Sequence, residues 1–531
     1  MTSRRFLLGA LVMGAAVLAA CSSEPPTGPE AGRALVEEAA ASIGGWAALD
    51  AVKSQEIRTG GADWEPGQAM EPAGEPRQVN TFGQVVLADY KKKRIRLTFD
   101  ALRTYPTSAP VKFVEVIDGD IGMLEAAGAD GKPLNERLHP SRFATRLRDF
   151  NRLPLRLLYT AKAAPDLTRD KDLTTGNKTA HVLRYTDGGA AVELHLDSFN
   201  KLPTRVIYKE DDPIYGDTLN EMAFSDWRDR SGIRLPDTQT TFLNGRKIRE
   251  ERVRTLINNP SLEDANFAIP EAVKAQPENG ERIVSQWTLR RIVMGVTYAD
   301  FGREQNVELI QVAPGVHHIR GGSHHSMVVE MKDHLVVVEA PLFDERSVAV
   351  MKALEEKFPG KPVRYLVTTH FHIDHAGGVR AYAAKGATLI AHESIVPFIN
   401  EMLERPHTVR PDTLAKTPAK TAIEGVKETK VLTDGDRTVE LRPIENDHAK
   451  GMLVAYLPKE KIIFVSDLYS PPGPVPNPSV IFEINRATTF YNAVTKAGLA
   501  VDTIVGGHGV VGAFRDLSRE ITRAQAGRAP R

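Results

Sequence analysis

The chain has 531 residues, of which 26% are charged and 42% are hydrophobic. This composition is typical of a globular protein and excludes both a disordered chain and a multi-span membrane protein. Lysine plus arginine and aspartate plus glutamate number 68 each, so the formal net charge is zero and no nucleic-acid partner is expected. Length alone predicts roughly two to four domains.

Residues 1–21 have the features of an export signal. Arg4 and Arg5 precede an uninterrupted apolar run, Phe6–Ala20, which is too short to span a bilayer as a mature helix. The run ends in Leu-Ala-Ala-Cys at Cys21, which resembles a bacterial lipobox. Because Cys21 is the only cysteine in the chain, an intramolecular disulfide and a cysteine-built zinc site are both excluded.

The lipobox resemblance implies that Cys21 is lipidated and anchors the protein to a membrane of the cell envelope. Ser22 stands where an aspartate marks inner-membrane retention in enteric-type bacteria, so the outer membrane is favoured, with the protein facing the periplasm. Residues 22–31 are then a solvated tether. A plain secretory signal with a cysteine nearby is the alternative interpretation.

Residues 32–272 are predicted to form a β-rich α+β domain. A helical stretch, Arg33–Ile43, is followed by short alternating segments, and a helical patch, Ser141–Leu158, interrupts them. This pattern predicts a curved antiparallel sheet with a helix packed on one face. The predicted strands are Gln55–Thr59, Val85–Tyr90, Arg94–Phe99, Val111–Ile117, Ala191–Leu196, Thr204–Tyr208 and Thr238–Leu243.

Two phrases in this domain, at 197–205 and 232–236, place Leu-Pro at or before a predicted strand. They resemble the strand-turn repeats of outer-membrane lipoprotein carrier and sorting proteins. The resemblance implies a half-barrel with an apolar pocket that binds a lipid or a lipoprotein. The alternative is a β-rich domain that only supports the second half of the chain.

A linker at 273–304 is predicted to separate this domain from a second domain at 305–531. Short strands there alternate with helices after leading hairpins, which indicates a layered α/β fold. The predicted strands are Glu308–Ile319, Ser326–Met331, His334–Ala340, Val363–Thr369 and Ala387–Ala391, and the predicted helices are Glu345–Phe358 and Gly378–Lys385.

Potential metal ligands are concentrated in the second domain. Strand Val363–Thr369 runs into His-Phe-His-Ile-Asp-His, which supplies His370, His372, Asp374 and His375. Alternate side chains at a strand end share a face, so His370 and His372 are expected to point together, whereas the following turn directs Asp374 and His375 to a second centre. Three further candidates each follow an apolar strand, where α/β sheets gather their sites: His448, Asp467 and His508.

The motif His-x-His-x-Asp-His resembles the signature of the metallo-β-lactamase-fold hydrolase superfamily, and the later candidates follow in the family's order. The resemblance covers about residues 305–515 and implies an αββα sandwich. It assigns one metal ion to His370, His372 and His448, and a second to Asp374, His375 and His508, with Asp467 bridging the two. These ligand types suit two Zn²⁺ ions, while iron and manganese stay open.

The resemblance further implies a dinuclear hydrolase that uses a metal-bridging hydroxide. Asp374 would steer this nucleophile and later protonate the leaving group, and Tyr469 would donate a hydrogen bond to the developing oxyanion. True β-lactamases of the fold usually carry cysteine or serine at the position of Asp467, so an ester, lactone, thioester or amide is favoured as substrate. The alternatives are a lipid- or lipoprotein-binding envelope protein with secondary hydrolase activity, and a β-lactamase or phosphodiesterase of the same fold.

Two segments, Ser394–Lys420 and Ser470–Phe490, contain apolar residues and are expected to roof the site, which favours a small hydrophobic substrate. Four histidines precede the motif in a predicted hairpin. We expect one of them to line the rim of the pocket and the others to be exposed. They are His317, His318, His324 and His325.

Overall fold

The computed structural model describes residues 25–106, 108–127, 132–277, 305–321, 324–473 and 483–526. Cys21 with the rest of the export signal, and residues 278–304 of the linker, lie outside the described residues, so lipidation and location stay predictions. Within the described ranges, no helix has the length and apolar character needed to cross a bilayer.

The N-terminal domain is built on one antiparallel sheet of 14 strands. The strands are β1 (Ser54–Glu65), β2 (Arg77–Asp89), β3 (Arg94–Arg103), β4 (Ala109–Asp118), β5 (Ile121–Ala127), β6 (Pro133–Arg137), β7 (Thr168–Arg169), β8 (Leu173–Thr175), β9 (Lys178–Asp187), β10 (Ala190–Asp197), β11 (Pro203–Asp212), β12 (Gly216–Arg230), β13 (Ile233–Leu243) and β14 (Arg246–Asn258). The first and last of them, β1 and β14, pair in the middle of the sheet. The β-rich fold class is therefore confirmed.

Helices pack on this sheet through apolar side chains. The helices are α1 (Pro29–Ile43), α2 (Trp46–Ala51), α3 (Pro140–Asn151), α4 (Leu157–Ala163) and α5 (Glu271–Lys274), and short 3₁₀ turns occur at Pro66–Gln68 and Asp264–Phe267. Helix α1 ends at Gly44, whose φ of 137° and close approach to the Gly232 carbonyl leave no room for a Cβ atom. Helix α5 spans residue 273, where the predicted linker begins.

A cavity of about 70 Å³ lies between this sheet and the segment that joins α3 to α4. Its apolar lining includes Ile57, Val86, Leu153, Leu155 and Leu256.

The C-terminal domain contains two stacked sheets. The first has seven strands in chain order: β15 (Glu308–Ala313), β16 (Val316–Arg320), β17 (Ser326–Glu330), β18 (Leu335–Val338), β19 (Val363–Val367), β20 (Thr388–His392) and β21 (Ile423–Val426). The second has six, also in chain order: β22 (Lys430–Thr433), β23 (Thr438–Ile444), β24 (Met452–Leu457), β25 (Ile462–Val465), β26 (Thr503–Gly506) and β27 (Val511–Ala513).

One apolar cluster joins the two sheets face to face, with Val338 and Val367 of the first sheet and Leu453 and Phe464 of the second. A separate cluster covers the outer faces with helices. These are α6 (Asp344–Lys357), α7 (Ile373–Ala376), α8 (Val379–Ala384), α9 (Val396–Glu404), α10 (Thr413–Lys416), α11 (Ile484–Lys496) and α12 (Phe514–Ala526), with a 3₁₀ turn at Glu393–Ile395. The predicted αββα sandwich is confirmed.

The two domains are joined by hydrogen bonds at two places. Near one end of β12, the Asp217 amide donates to the Pro406 carbonyl at 2.8 Å. At the other place, the segment between β1 and β2 reaches the C-terminal domain, where the Lys450 amide donates to the Met70 carbonyl at 2.9 Å. The second contact brings the N-terminal domain to the predicted metal ligands.

Candidate metal centre

Three buried imidazoles form the first ligand group, which lies where β19 and β23 end. The ring centroids of His370 and His372 are 4.6 Å apart, and that of His448 is 4.6 Å from His372 and 5.2 Å from His370. Among the described residues, Nε2 of His370, Nδ1 of His372 and Nε2 of His448 have no hydrogen-bond partner. Buried nitrogens without partners are costly, and a cation between them would satisfy all three.

The second ligand group combines Asp374, His375 and His508 with His324, and all four are buried. Nε2 of His375 lies 3.3 Å from Nε2 of His508 and 3.6 Å from Oδ2 of Asp374. The possible ligand atoms of the four residues lie within 4.8 Å of one another, which is compatible with one shared cation.

Asp467 lies between the two groups, two residues after β25 ends. Its Oδ1 is 2.8 Å from Nε2 of His375 and 3.0 Å from Nε2 of His508. Its Oδ2 is 3.1 Å from Nε2 of His448, without the angle of a hydrogen bond. One oxygen thus faces each group, which is the arrangement of a bridging carboxylate.

The imidazoles of the first group are neutral. Burial is the main cause, and it lowers the pKa of His370 and His372 well below the usual value and also lowers that of His448. Neutral imidazole is the form that binds a metal ion.

The carboxylates of the site are ionised. Burial alone would raise the pKa of Asp374 and of Asp467, but the charge of His375, together with the hydrogen bonds of Asp374 with His324 and of Asp467 with His375, holds both below the usual value. Burial would likewise lower the pKa of His375, but the neighbouring carboxylates, led by Asp467 and Glu339, raise it. Without a cation this histidine carries the compensating positive charge, and a bound divalent ion would take over that role.

Glu339 fixes two ligands from within the C-terminal domain. Its Oε2 accepts a hydrogen bond from Nδ1 of His375 at 2.9 Å, and its Oε1 accepts one from Thr369 at 2.5 Å. The Thr369 hydroxyl oxygen lies 3.0 Å from Nδ1 of His370. Both histidines therefore keep Nε2 for a metal ion, as outer hydrogen-bond partners of metal-bound histidines commonly ensure. Glu339 has a φ of 71°, a strained conformation of the kind often held at functional sites.

The N-terminal domain fixes the other two histidines of the first group. Nε2 of His372 donates to the carbonyl of Ala69 at 2.9 Å, which leaves Nδ1 free. Nδ1 of His448 lies 2.6 Å from the hydroxyl of Tyr105. When Nδ1 carries the proton and donates to that hydroxyl, Nε2 of His448 is free as well.

Gln68 reaches the second group from the same segment. Its side-chain amide donates to Oδ1 of Asp374 at 2.6 Å, while Nε2 of His324 lies 3.1 Å from Oδ2. The approach is close, because a Cβ atom on Gly67 would lie 3.2 Å from Cγ2 of Ile373. Sequence reasoning missed Glu339, Gln68, Ala69 and Tyr105, since none of them lies in a recognisable motif.

Residues 319–508 match the family model described as the metallo-beta-lactamase superfamily. The C-terminal domain belongs to the metallo-β-lactamase superfamily. In this domain, buried histidine and aspartate groups could hold a metal ion.

Two curated relatives align with parts of this chain. The α subunit of 2,4-dinitroanisole O-demethylase from Nocardioides sp. (strain JS1661) is 24% identical over 190 residues, which are 36% of this chain and 54% of that protein. A linear primary-alkylsulfatase from Pseudomonas sp. is 33% identical over 73 residues, which are 14% of this chain and 11% of that protein. The chain thus spans about half the length of the first relative and about a tenth of the second.

Two solved structures align with part of this chain. A metallo-beta-lactamase from Pontibacter korlensis has 17% identity and a TM-score of 0.31, with 41% of this chain and 99% of that chain covered. The metallo-beta-lactamase FIM-1 from Pseudomonas aeruginosa, in its mono-zinc form, has 18% identity and a TM-score of 0.31, with 42% and 97% covered.

Two arginines flank Tyr105 beside the first ligand group. The guanidinium carbons of Arg77 and Arg486 lie 4.2 and 5.0 Å from the centre of the Tyr105 ring. Arg77 also donates to the carbonyl of His448 at 3.2 Å. These cations help burial to lower the pKa of His448.

The structure brings the seven predicted metal ligands together, and the side chain of Tyr469 contacts α12. Its hydroxyl donates to Oε2 of Glu520 in α12 at 3.1 Å. The role of Tyr469 as an oxyanion donor stays a prediction.

The expected exposure of the hairpin histidines is wrong, because all four are buried. The backbone of β16 lies between β15 and β17, and His317 packs on Phe358 while His318 lies 3.0 Å from the Gly506 carbonyl. Both faces of this strand are therefore covered. The exposed fractions of His317, His318, His324 and His325 are 3%, 0%, 2% and 3%.

The predicted apolar roof stays a prediction. In the first segment, Phe398 packs in the core against Phe371, with a ring distance of 5.7 Å, and against Tyr215 of the N-terminal domain at 6.4 Å. In the second segment, residues 474–482 lie outside the described residues.

Proposed function

We propose that the protein is a dinuclear metal-dependent hydrolase that cleaves an ester, lactone, thioester or amide. The observation that carries the proposal is the position of Asp467, which directs one oxygen to each of two buried ligand groups. The three unpartnered imidazole nitrogens of the first group support the same conclusion. We propose Zn²⁺ at both positions, with iron and manganese as the alternatives to test.

His370, His372 and His448 would hold one ion, and Asp374, His375 and His508 the other. Two bound divalent ions would supply Lewis acidity and lower the pKa of a water molecule enough for it to act as a nucleophile near neutral pH. Asp374 is ionised and held by Gln68, so its carboxylate can accept the proton of that water and return it to the leaving group.

The substrate class follows from the site and from the relatives. Aspartate at position 467 favours esters, lactones and thioesters over β-lactams. The names of the curated relatives add alkyl sulfates and aryl alkyl ethers to the compounds worth testing. We propose a small, hydrophobic substrate and an envelope location in which lipidated Cys21 anchors the protein to the outer membrane, facing the periplasm.

The N-terminal domain supports the hydrolase proposal over a lipid carrier as the main function. Its segment at Gln68 and Ala69 contacts two proposed ligands, and Tyr105 contacts a third.

The test is to strip full-length protein with a chelator, reload it with Zn²⁺, Mn²⁺ or Fe²⁺, and measure metal content and turnover on a substrate panel. The panel contains lactones, thioesters, carboxylic esters, amides, alkyl sulfates, aryl ethers, phosphodiesters and β-lactams. We expect about two ions per chain and metal-dependent turnover of a carboxylic ester, lactone, thioester or amide. Hydrolysis of only a phosphodiester or a β-lactam would favour those alternatives, and metal-independent turnover would contradict the proposal.

A further inference from the structure

We infer that His324 is an additional protein ligand of the second metal position. This inference rests on the proposed dinuclear function and adds a residue to it. His324 lies between β16 and β17, two residues before β17 begins, and 50 positions before Asp374 in the chain.

The geometry places the His324 ring inside the second ligand group. Its Nε2 lies 3.1 Å from Oδ2 of Asp374. Its ring centroid is 4.2 Å from that of His508 and 5.1 Å from that of His375, at interplanar angles of 64° and 67°. Inclined imidazoles that surround a carboxylate oxygen at these distances can direct their nitrogens to one point.

Burial fits a ligand, because the His324 side chain is 2% exposed. The competing arrangement is an outer hydrogen bond, in which Nε2–H donates to Asp374 and His324 does not touch the ion. The two arrangements differ in the number of nitrogens bound to metal.

The ligand count has a consequence for the choice of metal. With His324, the second position has five protein ligands: His324, Asp374, His375, His508 and Asp467. Protein-bound zinc is almost always four-coordinate in structural sites, whereas manganese and iron readily accept larger ligand sets. The second position is therefore expected to accept Mn²⁺ or Fe²⁺, the alternatives to Zn²⁺, more readily than the first position does.

The experiment uses Co²⁺ as the probe, because its visible absorption weakens as its coordination number rises. Full-length protein is stripped and titrated with Co²⁺, and bound metal and absorption are measured for wild type, His324→Ala and His324→Asp. His317→Ala is the matched control, since His317 belongs to the same hairpin, is equally buried and packs on Phe358 instead. Circular dichroism identifies any variant that fails to fold.

We expect wild type to bind two Co²⁺ ions, the second with weak absorption. His324→Ala should bind the second ion about 10–100-fold more weakly and with stronger absorption per ion, and His324→Asp should restore part of the affinity. His317→Ala should match wild type. If His324→Ala binds both ions with wild-type affinity and spectrum, His324 is not a ligand, while the proposed function stands. If wild type binds fewer than two Co²⁺ ions, the result contradicts the proposed dinuclear function itself, and not only the role of His324.

Discussion

The hydroxyl of Tyr105 lies 2.6 Å from Nδ1 of His448, although the two residues belong to different domains and are 343 positions apart. His448 needs its Nδ1 proton held in order to present Nε2 to a metal ion. The carbonyl of Ala69 holds the Nε2 proton of His372 in a similar way, which leaves Nδ1 of His372 for the ion. The N-terminal domain therefore takes part in the metal centre rather than only supporting it.

Replacing Tyr105 with phenylalanine should weaken metal binding at the first position. The change removes the partner of Nδ1 in His448 and little else, and loss of such a partner typically costs about 10–100-fold in affinity. Chelator competition on full-length protein measures the effect. Tyr90→Phe is the control, since its hydroxyl donates to Gln55 at 2.6 Å in the same domain. Equal affinities for the two variants would show that Tyr105 does not act on His448.

Replacing Gln68 with glutamate should shift the pH dependence of the enzyme. The amide that donates to Asp374 becomes a second carboxylate, and a like charge raises the pKa of its neighbour. Because Asp374 works in its ionised form, the acidic limb of the kcat/KM profile should move to higher pH, while activity at high pH changes less. An unshifted acidic limb in Gln68→Glu would indicate that Asp374 does not set it.

The two aspartates of the site should differ in their response to metal. Asp467→Asn removes negative charge between the ions, so the second position should lose metal first, and excess Zn²⁺ should restore much of the activity. Asp374→Asn also removes the proposed proton carrier, so a deficit of about 10²–10⁴ in rate should persist at saturating metal. Steady-state rates against Zn²⁺ concentration separate the two. Equal recovery would leave Asp374 as a ligand only, with Tyr469 the next proton donor to test.

Replacing Cys21 with serine should release the protein from membranes without changing its hydrolase activity, because residues 22–27 separate Cys21 from Gly28, which pairs with Arg169 of the N-terminal domain just before α1 begins within the predicted tether. Fractionation of cells and mass spectrometry of the mature N-terminus measure the outcome. Wild-type protein that is soluble and carries no lipid would show that the lipobox prediction is wrong.

The ligand motif could be predicted because its information is local. His370, His372, Asp374 and His375 follow one strand, and Asp467 follows another buried strand that is apolar throughout. The αββα order of elements followed from the same alternation of strands and helices.

Other features depend on tertiary contacts that no short pattern encodes. Strands β12 and β14 were missed because they alternate weakly and are rich in charged residues, and their pairing with β13 and β1 stabilises them instead. Gln68 and Tyr105 could not be assigned, since their role depends on how the two domains dock. His324 was expected near the pocket rim or exposed, because its burial comes from the contact with His508 and His375.

The most direct test of the central claim is a crystal structure of metal-loaded, full-length protein with anomalous scattering recorded at the absorption edge of the bound metal. We predict two anomalous peaks about 3.5–4 Å apart, the spacing of two-metal hydrolytic sites, with Asp467 between them. One peak should lie among His370, His372 and His448, and the other beside Asp374, His375 and His508. A single peak, or none, in crystals grown with excess metal would contradict the dinuclear centre.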